Sequence, residues 1–300
     1  MSKNKKTVFK GAATALITPF RDGAVDYISL GRLIDFQIDR GINAIVICGT
    51  TGENATLSDT EHQAVLEYAL ERACGRVPMI AGTGSNDTAH AIEMSRFASG
   101  LGYDGLLVVT PYYNKATPQG LIQSYTKIAD ASKCPIILYN VPTRTCCNIT
   151  LPVYRELSKH ENIVAVKEAS GNISTIAELF AECGDDFDIY SGNDDQTLPM
   201  LSLGGSGVIS VVSNIIPREI VSLCKKWFDG DISGCRRLHE KYLKLMKMMF
   251  CEVNPIPVKT AAEMLGLCLA EMRLPMCPIG KENYERLGKM LRDYGLVRGE

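Results

Sequence analysis

No apolar run in this 300-residue chain approaches the length of a bilayer span, which excludes a membrane-crossing helix. The first ten residues are basic but lead into no apolar stretch of the kind a secretory leader carries, so a cytoplasmic protein is expected. Charge of one sign is also missing. Lys and Arg number 32 against 34 Asp and Glu, a formal net charge of -2, and nothing in that balance suggests a nucleic-acid or membrane partner. The four histidines, His62, His90, His160 and His239, form no motif. The 11 cysteines run from Cys48 to Cys277 without one Cys-x-x-Cys pair or a histidine at metal-ligand spacing. An odd, scattered set of this kind reads as reduced core thiols, and no metal site is expected. The adjacent Cys146 and Cys147 read as a small, apolar-leaning turn in preference to a redox pair. Internal repeats and low-complexity linkers are absent as well.

What is present is a regular alternation. Hydrophobic residues make up 46% and charged residues 22%, ordinary for a globular chain, and one large core is affordable at this length. Short apolar runs at 12–17, 44–48, 78–81, 105–109, 135–140, 163–167, 188–191 and 207–212 read as strands. Helical periodicity fills the intervals at 27–39, 58–74, 88–100, 118–132, 152–159, 174–183, 196–203 and 217–228, with Ser58 placed to cap the second. A strand spacing of about 20 to 35 residues suits βα units and a parallel sheet. Eight such units predict an α/β fold, the (β/α)8 TIM barrel, over residues 1–231. Residues 232–300 carry no strand signal and predict a C-terminal helical extension, broken at Asn254-Pro255-Ile256-Pro257 and Pro275-Met276-Cys277-Pro278.

The sixth strand, Ile163-Val164-Ala165-Val166-Lys167, ends in a lysine. Strict alternation puts Ala165 and Lys167 on one face and Val164 and Val166 on the other. Burial disfavours the charged amine, so a lysine on an inner face is a candidate nucleophile towards a carbonyl carbon. The plainer alternative is that Lys167 snorkels out or pairs with Glu168. The barrel fold directs attention to the loops after the strands. Strand two is followed by Gly49-Thr50-Thr51-Gly52-Glu53, whose hydroxyls and N–H groups suit a carboxylate or phosphate. Strand four ends in Thr110-Pro111-Tyr112-Tyr113-Asn114 and strand five in Tyr139-Asn140-Val141-Pro142-Thr143-Arg144, bringing phenols and a guanidinium to the rim. Tyr139, in phase with Ile137, points at the barrel centre, and the Arg144 fork suits a carboxylate. Asp194 and Asp195 read as capping groups for a helix starting near Gln196.

These motifs together resemble the class I, Schiff-base-forming pyruvate aldolases related to dihydrodipicolinate synthase and N-acetylneuraminate lyase. The likeness covers the whole chain through Gly49-Thr50-Thr51-Gly52-Glu53, Tyr139-Asn140-Val141-Pro142, Lys167-Glu168-Ala169-Ser170-Gly171, and Ser191-Gly192 with Gly207-Val208-Ile209-Ser210. Thr50-Thr51, Tyr113 and Arg144 resemble the synthase branch. The resemblance implies that Lys167 forms an imine with pyruvate, that Tyr139, Thr50 and Tyr113 relay protons, and that Tyr113 comes from a neighbouring subunit. It implies that Thr51 holds the pyruvate carboxylate, that Arg144 holds that of L-aspartate 4-semialdehyde, and that Gly192 and Ile209 shape the pocket. The implied activity lies in diaminopimelate and lysine biosynthesis, in a homo-oligomer of at least two and expectedly four subunits, without metal or organic cofactor.

The family's inhibitory lysine site maps onto Asn54, Ala55, Asp59, His62, Asn86, His90 and Tyr112. Lysine-sensitive members tend to carry histidine where this chain has Asp59 and glutamate where it has His90, so weak or absent lysine feedback is expected. Two alternatives stand beside the synthase reading. One is a lyase of the same family acting on a sialic or sugar acid, and the other is a non-catalytic keto-acid-binding relative.

Overall fold

A computed structural model of the chain describes residues 5–185 and 187–297; residues 1–4 of the basic start and 298–300 of the expected extension lie outside the described residues. Strand β1 (Gly11–Ala15) leads into a hairpin of β2 (Phe20–Arg21) and β3 (Ala24–Val25), too short to leave a trace of alternation in the sequence. Helices and strands then alternate as α1 (Tyr27–Asp39), β4 (Ala44–Ile47), α2 (Asp59–Ala73), β5 (Met79–Gly82), α3 (Thr88–Leu101), β6 (Gly105–Val109), α4 (Pro118–Ala131) and β7 (Ile136–Asn140). A single turn α5 (Pro142–Thr145) and α6 (Leu151–Leu157) precede β8 (Ile163–Glu168). Then come α7 (Ile173–Cys183), β9 (Asp188–Ser191), α8 (Thr197–Ser202), β10 (Gly207–Ser210) and α9 (Pro217–Phe228). Three more helices follow: α10 (Ile232–Met248), α11 (Ile256–Met264) and α12 (Lys281–Asp293).

Apart from the hairpin, the strands form a closed barrel in the order β1-β10-β9-β8-β7-β6-β5-β4. Neighbours run parallel, and the ring closes where β1 meets β10, with Ala13 opposite Ile209. This is the (β/α)8 architecture that the sequence pattern predicts. Its apolar side chains divide into two layers. Ala13, Ala44, Val46, Ile80, Leu107, Ile137 and Ile209 fill the interior, and Ile45, Ile47, Leu106, Val108, Leu138 and Val166 face the helices. Both faces are covered, which is why these strands read as unbroken apolar runs. Phe9 stacks on Tyr190 with ring centroids 4.2 Å apart, and the Tyr190 hydroxyl donates to the Phe9 carbonyl at 2.6 Å, closing the barrel floor.

Strand β8 departs from strict alternation. Ile136 lies opposite Ile163 but Ile137 lies opposite Ala165, so Val164 is an extra residue in the ladder. Val164 therefore joins Ala165 in the inner layer, correcting its expected place beside Val166, which does face the helices. Helix α2 starts at a capping box in which the Ser58 hydroxyl accepts from the Glu61 N–H and Glu61 accepts from the Ser58 N–H, as Ser58 before two acidic residues implies. The C-terminal helices are no appendage, because every residue of α11 from Ile256 to Ala262 is buried.

Candidate active site

Strand β8 delivers Lys167 to the carboxyl end of the barrel. The residue is 5% exposed, and its Nζ stands 4.2 Å from the ring centroid of Tyr139, its partner across β7. Glu168 points the other way. Its carboxylate accepts from Tyr154 Oη at 2.7 Å, Asn140 Nδ2 at 2.9 Å and the Ser170 N–H at 2.7 Å. The lysine is thus not paired with its sequence neighbour, and those three bonds pin the strand end that carries it. The close approach of β9 depends on Gly192. A Cβ there would lie 3.2 Å from Lys167 Cε and 2.6 Å from the Ala169 Cβ, so any side chain would crowd the amine.

Two adjoining cavities open at this rim and share Tyr139, Val141 and Arg144. One, of about 390 Å³, is also lined by Lys167, Thr51, Gly192 and Asn254. The other, of about 290 Å³, is also lined by Thr50, Asn54, Ala55 and Tyr112. The structure therefore gathers Lys167, Tyr139, Thr51, Arg144 and Gly192 at one place, with Thr50 around the shared wall. Ile209 is fully buried within the barrel interior. Tyr113 is not gathered with the others. It is 91% exposed, in a left-handed conformation with φ of 70°, and it lines neither cavity of its own chain.

The residues mapped to a lysine site are only partly drawn together. Asn54, Ala55 and Tyr112 line the smaller cavity. His62 is buried and bonds the Gly82 carbonyl at 3.0 Å, and burial pushes its pKa below the usual histidine range. The Asn86 carbonyl accepts from Asn114 Nδ2 at 2.9 Å. Asp59 and His90 face each other, Oδ1 to Nε2, at 3.6 Å, with the carboxylate on α2 and the imidazole on α3.

Three features escape a reading of local motifs. The Asn254 amide Nδ2 donates to Thr51 Oγ1 at 3.0 Å, a bond that does not use the Thr51 hydroxyl proton, while the Asn254 main-chain carbonyl accepts from Arg144 Nη2 at 3.0 Å. Lys259 of α11 reaches Glu53 at 2.5 Å with both side chains out of solvent. Asp194 does not cap α8, whose N-cap, Gln196, makes no side-chain capping bond. It is buried, accepts instead from the N–H groups of Val211 and Val212 at 3.0 and 2.9 Å, and is raised in pKa by that burial. The expected capping role moves from α8 to the turn after β10. As for Cys146 and Cys147, the first thiol is exposed and the second buried.

A lysine held among hydroxyls and one guanidinium, at the carboxyl rim of a closed parallel barrel, places the chain in the class of lysine-centred (β/α)8 proteins. The chain belongs to the dihydrodipicolinate synthetase family, whose model matches residues 8–294. It is 48% identical over 293 residues to the 4-hydroxy-tetrahydrodipicolinate synthase of Acetivibrio thermocellus, covering 98% of this chain and 100% of the relative. Among solved structures, dihydrodipicolinate synthase from Aquifex aeolicus superposes with a TM-score of 0.95 at 46% identity, covering 97% of this chain and 100% of that one. The pyruvate complex of dihydrodipicolinate synthase from Acinetobacter baumannii gives 0.94 at 40% identity, covering 97% and 100%.

Proposed function

We propose that the chain is a 4-hydroxy-tetrahydrodipicolinate synthase, condensing pyruvate with L-aspartate 4-semialdehyde on the route to diaminopimelate and lysine. The observation that carries the reading is the buried Lys167 beside Tyr139, opening on a cavity that also holds Thr51 and Arg144. The Lys167 amine attacks C2 of pyruvate and water leaves, forming an imine. Loss of a methyl proton gives the enamine, whose carbon attacks the semialdehyde. The amine of that second substrate then displaces Lys167 as the ring closes, returning the free lysine. Tyr139, Thr50 and Tyr113 carry the protons these steps require, and their hydroxyls suit that role because they both donate and accept. Thr51, oriented by Asn254, donates to the pyruvate carboxylate. Arg144 at the mouth takes the carboxylate of the semialdehyde. Gly192 and Ile209 set the shape of the pocket.

Tyr113 faces outward, which suits the site of a second copy, so the complete unit is a dimer and four subunits the expected assembly. The catalytic unit is the barrel of 1–231, with 232–300 as its extension, and the setting is the cytoplasm. No helix among the described residues is long and apolar enough to cross a membrane. At the site mapped to Asn54, Ala55, Asp59, His62, Asn86, His90 and Tyr112, the exchange of Asp59 and His90 hands the available carboxylate to a histidine. Inhibition by lysine is therefore weak, and turnover across millimolar lysine checks this, strong inhibition being the contrary result.

The primary test is to incubate the protein with pyruvate, reduce with borohydride and locate the added mass by peptide mass spectrometry. Modification of Lys167, absent from Lys167→Ala, and turnover with the semialdehyde are the expected results. An unmodified protein would refute the mechanism.

A further inference from the structure

The Gly49–Glu53 loop is held by a charge that no step above uses. Glu53 sits at φ 54° and ψ 35°, a left-handed conformation that residues other than glycine seldom adopt. It joins two tight turns, Thr50–Gly52 before it and Asn54–Thr56 after it. Its N–H donates to the Thr50 carbonyl at 3.1 Å, and its carbonyl accepts from the Thr56 N–H and hydroxyl, each at 3.1 Å. Its backbone therefore closes the turn that presents Thr50 and Thr51.

The Glu53 side chain runs inward and meets Lys259, whose Nζ lies 2.5 Å from Oε1 and 4.1 Å from the Phe20 ring centroid. Oε2 is buried with no partner among the described residues. Taking both charges out of water is costly, and an apolar pair of similar volume would hold two elements together at least as well. What an apolar pair lacks is a fixed donor-to-acceptor direction. Here that direction ties the turn to a helix whose buried stretch includes Lys259.

We propose that Lys259 is a positioning residue for the reaction: through Glu53 it fixes the Thr50–Thr51 turn relative to Lys167, so that the pyruvate carboxylate is gripped at the correct distance from the amine. This rests on the assignment of Thr51 to that carboxylate. The effect should fall first on pyruvate, because Thr51 lies in the Glu53 turn itself, whereas Arg144 reaches that turn only through Asn254, whose carbonyl it bonds and whose amide donates to Thr51.

Lys259→Met alone leaves a buried carboxylate unpaired, so loss of stability would mask loss of positioning. The informative variant is Glu53→Gln with Lys259→Met, which removes both charges at nearly constant volume, together with Lys259→Arg, which keeps the cation. Steady-state kinetics in both substrates, thermal melting and borohydride trapping on Lys167 across pyruvate concentrations are measured for each. The double variant is expected to melt near the wild-type temperature, with the pyruvate KM raised about tenfold and the semialdehyde KM raised clearly less. Lys259→Arg should recover part of the pyruvate KM. A double variant with wild-type pyruvate KM, or one in which both KM values drift together as melting falls, overturns the proposal. Failure of the wild-type protein to form a Lys167 adduct would instead overturn the assignment of the site, a result read from a separate sample.

Discussion

Lys167 on β8 and Lys259 on α11 occupy closely similar surroundings. They are 5% and 0% exposed, and each holds its Nζ near an aromatic ring, 4.2 Å from the centroid of Tyr139 and 4.1 Å from that of Phe20. The regions differ in what else meets the amine. Lys259 has a carboxylate at 2.5 Å and is fully buried, so its amine is engaged and burial's downward pull on its pKa is opposed by Glu53. Lys167 has a 390 Å³ cavity at its side and its adjacent carboxylate turned away to Tyr154 and Asn140. Burial and a ring face do not by themselves make a nucleophilic amine. The proposed nucleophile differs in having an open side and, among the described residues, no carboxylate bonded to its amine.

That contrast can be broken in stages. Lys167→Met should abolish turnover and pyruvate trapping while leaving thermal stability at or above wild type, because it removes a buried polar group from a cavity wall. A large loss of melting temperature would show that Lys167, too, is structural. Lys259→Met should act chiefly on stability instead, costing about 3–5 kcal/mol in denaturant unfolding, since it strands the Glu53 carboxylate. Tyr113→Phe should lower kcat about 100-fold at unchanged melting temperature. Mixing that variant with Lys167→Ala subunits should restore part of the activity if the tyrosine serves its neighbour, and no recovery would argue that it acts within its own chain. The smallest effect concerns the second clamp on the same loop region, where Arg273 and the Ser58 N–H hold Glu61 down to about 2 from 4.5. A carboxylate lowered in the folded state stabilises fully above its unfolded value and loses that contribution as pH falls through the folded one. Melting of the wild-type protein should therefore fall between pH 4.5 and about 2 more steeply than that of Glu61→Gln; parallel curves would remove the clamp from the account.

The barrel was legible because its strands are apolar on both faces and its helices carry caps, and so was the gathering of Lys167, Tyr139, Thr51, Arg144 and Gly192. Each of these stands at a strand end, where fold alone says to look. Val164 was not legible, since a bulge leaves no mark in an apolar run. Asp194 was misplaced because an aspartate before a helix looks like a cap whether or not its side chain turns inward. Lys259 was missed despite a signal of the same kind that marks Lys167: a single cation in Ile256-Pro257-Val258-Lys259-Thr260-Ala261-Ala262. On a helix one lysine reads as a solvent-facing residue, and its partner lies 206 positions earlier. Asn254 is likewise joined to Thr51 across 203 positions, beyond any local pattern.

The hold of α11 and Asn254 on the first half of the chain also has a consequence in time. During synthesis the barrel strands are complete once Ser210 has emerged, and Lys167 is already in place. Asn254 and Lys259 come later, so the turn that presents Thr50 and Thr51 must wait, unclamped, for the last fifth of the protein to dock. On the proposed assignment, a nascent barrel would carry Lys167 before the Thr50–Thr51 turn is clamped, and the order of translation would delay activity until α11 has docked.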